Sequence, residues 1–89
     1  MGKSSICISA GAWGDYLYWQ KADKKVLVRI NRLLEDIVRD PFDGIGKPES
    51  LRENLSGYWS RRITDEHRQV YSVSDKGLVI LACRYHYSD

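Results

Sequence analysis

The chain has few of the residues that would place it outside the cell or in a membrane. Two cysteines in 89 residues are too few for the disulfide framework on which small secreted domains rely. Two cysteines with two histidines also lack the spacing of zinc ligands. Cys7 and Cys83 each fall in an apolar, strand-like run, so two buried thiols in a reducing cytoplasm are expected. No apolar run approaches the length of a membrane span. The segment Ile6-Cys7-Ile8 before Ala10-Gly11-Ala12 imitates a signal-cleavage site, but its apolar core is far too short. An excess of one charge sign is missing as well: 14 basic and 12 acidic residues leave a net charge of +2. That charge is spread evenly over both halves, so any case for a nucleic-acid partner rests on where the cations fall. Repeats, linkers and low-complexity stretches are absent too, which predicts one cytoplasmic domain over residues 1–89.

With 43% hydrophobic and 29% charged residues, the composition is that of a globular domain. A chain of this size buries about 60–65% of its unfolded surface, enough for one modest core. Residues 4–9 read as a short strand. Residues 11–22 carry Trp13, Tyr16, Leu17 and Gln20 at helical spacing, with aromatics on most sides. Asp23 is an N-cap candidate for the clearest element. There Val26, Ile30, Leu33 and Ile37 step by four, three and four, and Leu27 and Leu34 widen the stripe. Pro41 ends that helix.

A Gly- and Pro-punctuated loop over 41–57 follows, with a brief strand or turn near Leu51. Connections of that length are often functional. Strands are predicted over 58–64, 68–74 and 78–87, joined by turns that make them antiparallel hairpins. The fold class expected is therefore α+β: two N-terminal helices packed on one face of a twisted antiparallel sheet, in the order β-α-α-β-β-β.

The sheet face away from the helices is free to bind. Arg61, Arg62, Arg68, Arg84 and His86 lie on the last three strands, and Lys47, Glu49 and Arg52 on the preceding loop, with Tyr58, Trp59, Tyr71, Tyr85 and Tyr87 interleaved. Guanidinium groups pair with phosphate, and rings stack on unpaired bases, so this mixture suits RNA. Trp59, Tyr71 and Tyr85 are better read as core or cross-strand packing, and His67, in a turn beside acids, as solvated. Cleaving RNA without a metal or cofactor needs a base for the 2′-OH, an acid for the leaving 5′-oxygen and cations on the phosphoryl oxygens. Glu49, His86, Arg62 and Arg68 supply that set if folding brings the loop over the sheet.

Four stretches carry a resemblance: "AWGDYLYWQ" (12–20), "RDPFDGIGKPE" (39–49), "LSGYWSRRITDEHRQVY" (55–71) and "RYHY" (84–87). Together they resemble the YoeB-type toxins of the RelE superfamily, ribosome-dependent mRNA interferases of type II toxin–antitoxin systems. The resemblance implies that Glu49 is the general base, His86 the general acid, Arg68 the phosphate stabiliser, Arg62 a second contact at the scissile region, and Tyr87 the residue that orients the mRNA. Arg52, Lys47 and Arg61 are the further RNA-contact candidates. No metal or other cofactor is implied.

The partners implied are the 70S ribosome with its mRNA and a YefM/Phd-type antitoxin with an acidic C-terminal segment. DNA is reached only through that antitoxin, and a homodimer is a further assembly to test. Three features depart from the family pattern. Ser50 stands where a second proline is common, Ser88 and Asp89 follow the final tyrosine, and the N-terminus Met1-Gly2-Lys3-Ser4-Ser5 is atypical. The competing expectation is a toxin scaffold without catalysis, either a co-repressor bound to its antitoxin or an inhibitor of gyrase like the ParE toxins.

Overall fold

The structure is a computed structural model, and it describes residues 5–52, 57–75 and 77–85. Its elements are β1 (Ile6–Ile8), α1 (Ala10–Ala22), α2 (Lys24–Arg39), β2 (Glu49–Ser50), β3 (Tyr58–Arg62), β4 (Arg68–Ser74) and β5 (Gly77–Ala82). The expected α+β class is what is seen.

Ser9 caps α1, its Oγ accepting from the Ala12 N–H at 3.1 Å. Asp23 then serves two helices at once. Its backbone N–H donates to Trp19 O at the end of α1, and its carboxylate accepts from the Lys25 and Val26 N–H groups at the start of α2. Two of the orphan donors of the second helix are thereby satisfied by one residue. The stripe on α2 is the core-forming face: Ile30, Leu33 and Ile37 are fully buried. Removing each such side chain from water stabilises the fold by about 1.5–3 kcal/mol. α1 has no comparable stripe and is held by Ala12 and Trp19, while Trp13, Leu17 and Tyr18 stay exposed.

The five strands lie in the order β1-β5-β4-β3-β2. From β2 to β5 every pairing is antiparallel, as the short turns require. β1 is the exception: it lies parallel to β5, with Ile6 opposite Leu78 and Ile8 opposite Ile80. A parallel neighbour needs a long crossover, and here it is nearly the whole chain. The sheet is therefore mixed at one edge. β1 is also shorter than expected and solvent-facing, so Cys7 is exposed rather than buried.

Two other strand ends fall short of the sequence expectation. β3 stops at Arg62 because the Ile63 and Thr64 N–H groups both turn to His67 O. β5 stops at Ala82 rather than running to 87. Beyond it the backbone is taken over by α1: Cys83 N–H donates to Asp15 Oδ2 at 3.0 Å, and Trp19 Nε1–H donates to Cys83 O at 2.8 Å. Tyr85 then adopts a left-handed φ of 66°, which no strand continues.

Candidate functional site

Strand alternation sorts β3 and β4 into two faces. Trp59, Arg61, Gln69 and Tyr71 share the face that packs under the helices, where Tyr71 joins Ile37 in the core. Tyr58, Ser60, Arg62, Arg68, Val70 and Ser72 take the outer face. β2 lays Glu49 opposite Ser60 on that same outer face.

Three of the residues singled out by sequence meet there. Arg68 Nη1 donates to Glu49 Oε1 at 3.3 Å and approaches Ser60 Oγ at 3.5 Å. Arg62 is the direct cross-strand partner of Arg68. Two guanidinium groups opposed across an antiparallel pair repel one another, and one carboxylate offsets only one of them. The cluster thus carries a surplus positive charge that an anion would settle. With side chains 21% and 60% exposed, the Arg68–Glu49 pair belongs to the class of surface ion pairs worth about 0–1 kcal/mol. It binds weakly enough for either partner to be taken by another charged group.

Glu49 reaches this position through backbone geometry. Gly46 (φ 81°) and Lys47 (φ 52°) are both left-handed, and the Arg62 N–H donates to Gly46 O at 2.7 Å. A Cβ on Gly46 would lie 2.8 Å from the Leu33 side chain, so glycine is required. The loop is thereby sewn to β3 immediately before β2 begins. Lys47 and Arg52 are exposed beside it.

Arg61 is a correction. It is fully buried and belongs to the framework, not to an RNA surface. Its Nη1 donates to Asp36 Oδ2 (2.6 Å) and Ile45 O, its Nη2 to Asp40 O and Asp43 O, and its Nε to Tyr71 Oη. A guanidinium is well suited to gathering several carbonyls and a carboxylate in one plane. It ties the end of α2 and the following loop to β3. Asp36 is held well below the usual carboxylate range by hydrogen bonds from Arg39, from the Ile45 N–H and from Arg61.

His67 is a second correction. Its side chain is only 16% exposed. The ring stands edge-to-face on Trp19 at 4.8 Å, and Nδ1 accepts the Tyr85 N–H at 2.8 Å. The signal was present but faint: a strand carried antiparallel beyond β4 brings residue 85 opposite residue 67. Tyr85, expected to pack inside, is instead 60% exposed. Its ring and that of Tyr18 flank the Arg84 guanidinium, whose central carbon is 3.5 Å from the Tyr18 centroid and 4.6 Å from that of Tyr85. Trp59 does pack as expected, 5.0 Å from Phe42. His86 and Tyr87 lie outside the described residues; the chain as described ends one residue before them.

Comparison with known proteins agrees with this architecture. The family model described as the YoeB-like toxin of bacterial type II toxin–antitoxin systems matches residues 8–87. Toxin YoeB of Synechocystis sp. (strain ATCC 27184 / PCC 6803 / Kazusa) is 63% identical over 82 residues, covering 92% of this chain and 95% of that protein. Among solved structures, a YoeB dimer from Staphylococcus aureus superimposes with a TM-score of 0.87 at 49% identity, covering 97% of this chain and all of the other. The toxin in a heterotetrameric YoeB–YefM toxin–antitoxin complex, also from Staphylococcus aureus, gives a TM-score of 0.84 at 49% identity over the same shares. With the family model spanning most of its length and relatives well above half identical, the chain belongs to the YoeB-like toxins of bacterial type II toxin–antitoxin systems.

Proposed function

We propose that this toxin is a metal-independent endoribonuclease that enters the ribosomal A site and cuts the mRNA there. The observation that carries this reading is the outer-face cluster. A carboxylate within 3.3 Å of one guanidinium and a second guanidinium directly across the ladder form a compact acid–base and phosphate-binding surface.

Glu49 removes the proton from the substrate 2′-OH, whose oxygen attacks the adjacent phosphorus. Arg68 and Arg62 neutralise the charge that builds on the non-bridging oxygens, where preorganised donors do most for a transition state. His86 protonates the departing 5′-oxygen, so the products are a 2′,3′-cyclic phosphate and a 5′-hydroxyl. Tyr87 orients the mRNA, and Lys47 and Arg52 extend the cationic rim toward neighbouring phosphates. The open surface explains the need for a ribosome. A carboxylate 60% exposed holds RNA in no fixed geometry, and orientation alone is worth several orders of magnitude in rate.

The antitoxin is a YefM-type protein, as in the Staphylococcus aureus complex, and an acidic segment of it fits the surplus positive charge of the cluster. The homodimer is the corresponding free form, by analogy with the dimer from the same organism. DNA is reached only through the antitoxin. No helix among the described residues is long and apolar enough to cross a membrane, in keeping with a cytoplasmic site of action.

Primer extension on an mRNA translated in a cell-free extract tests the reading. Wild type is expected to cut within the A-site codon, while Glu49→Gln and His86→Ala, folded by circular dichroism, leave the message intact. Cuts by either variant at the wild-type rate overturn the assigned roles, and no cuts by folded wild type overturn the activity itself.

A further inference from the structure

We propose that His67 is a positioning residue for the end of the chain: its unprotonated Nδ1 holds the backbone of Tyr85, one residue before His86. The inference rests on the reading of His86 as the general acid.

Both backbone groups of Tyr85 are anchored from the start of β4. Its N–H donates to His67 Nδ1 at 2.8 Å, and its carbonyl accepts the Arg68 N–H at 3.0 Å. Tyr85 is held at φ 66°, a conformation uncommon for a tyrosine that persists where the surroundings over-determine it. The imidazole is itself fixed against the Trp19 indole, which also donates to Cys83 O. Arg84 is clasped between the Tyr18 and Tyr85 rings. Residues 83, 84 and 85 are therefore each anchored, the first two from α1 and the third from His67 and the first residue of β4. The neighbour of His67 in sequence is Arg68, which contacts Glu49. Positions 67 and 68 thus join the carboxylate side of the proposed site to the segment that leads to its acid.

A nitrogen that accepts a hydrogen bond carries no proton, so the neutral ring bears its proton on Nε2. The imidazolium cannot make this bond. Around the ring, Glu66 lies 3.9 Å from Nε2 on the same turn. α1 presents the Trp19 indole, and the terminal segment presents the Tyr85 ring with its centroid 5.8 Å away. The two histidines accordingly have opposite needs: His86 must carry a proton to donate, and His67 must leave Nδ1 bare.

Two variants separate the bond from the packing. His67→Phe keeps a ring on Trp19 and removes the acceptor. His67→Asn restores an acceptor close to the Nδ1 position and cannot titrate. Nitrogen-15 NMR of the free wild-type protein should show Nδ1 unprotonated, with the Tyr85 amide resonance moving in step with the imidazole titration. In ribosome-dependent cleavage, His67→Phe should lower kcat about tenfold or more with KM nearly unchanged. His67→Asn should recover most of that rate and show a flatter acid limb than wild type. An Nδ1-protonated tautomer, or a Tyr85 amide indifferent to the titration, overturns the proposal, and so does a folded His67→Phe with wild-type kcat. If His67→Phe does not fold, the tautomer and the pH profile of His67→Asn decide the matter. If the protein cuts no mRNA at all, the function fails while the NMR still tests the hold on Tyr85.

Discussion

Asp36 and Arg61 show how one side chain can govern the acid stability of the fold. The carboxylate accepts from Arg39, from the Ile45 N–H and from the fully buried Arg61, and these donors hold it far below the ordinary range. A carboxyl depressed in the folded state adds stability that is present above its unfolded value, about 3.9. That stability is lost as pH falls toward the folded value. Wild type is therefore expected to lose urea resistance steeply between about pH 4 and pH 2. Asp36→Asn should be weaker at neutrality and nearly flat over that interval. Parallel slopes in urea titrations at several pH values would refute the assignment. The cysteines make a second prediction at this scale. Burial, with the Asp15 carboxylate adding to it, pushes the Cys83 thiol up to about 12, while Cys7 is exposed. Since only the thiolate reacts, iodoacetamide at mildly alkaline pH should label Cys7 alone. Cys83 should become reactive only in denaturant, which peptide mass mapping would show.

At the level of elements, Asp23 is the residue on which both helices depend. Asp23→Ala removes the side-chain acceptor for two N–H groups of α2 and should cost about 1 kcal/mol in chemical denaturation. Asp23→Asn should restore most of it, and equal losses from the two variants would show that charge rather than capping matters. This helix pair also marks what the sequence made legible. The spacing of Val26, Ile30, Leu33 and Ile37 predicts α2 and its buried face because a local period and a local cap determine them. Motif and chemistry point to Glu49, Arg62 and Arg68, and strand alternation brings them to one face. Arg61 looks like a surface cation in the sequence because alternation distinguishes it from Arg62 only once it is known which face the helices cover. His67 looks solvated for a related reason: its partners, Trp19 and Tyr85, come from distant parts of the chain. The left-handed break at Tyr85, beyond the end of β5, has no marker such as glycine to announce it.

Considered as a whole, the molecule closes on itself where its first strand meets its last. β1 has only three residues, and Ile6 and Ile8 remain 39% and 42% exposed, so it adds little apolar burial. Its contribution is to the edge of β5. Ile6, Cys7 and Ile8 pair with Leu78, Val79 and Ile80, and Leu78 N–H donates to Ser5 O, while Ser9 beyond β1 keeps its own bonds to Ile80 O and Leu81 O. Without β1, β5 would present a row of unpaired backbone groups, an invitation to pairing between molecules. β5 also leads directly into the segment that Trp19, Tyr18 and His67 anchor. Deleting residues 1–8 keeps the Ser9 cap and removes the parallel ladder. A few backbone bonds at about 0.5–1.5 kcal/mol each amount to roughly 2 kcal/mol. In a domain of this size that lowers the thermal midpoint by roughly 10 °C. Size-exclusion chromatography should then show larger species at raised concentration, as the bared edge of β5 finds partners. A truncated protein with an unchanged midpoint and elution volume would mean that β5 is secured by β4 and the helices alone, and that β1 does not protect the sheet edge.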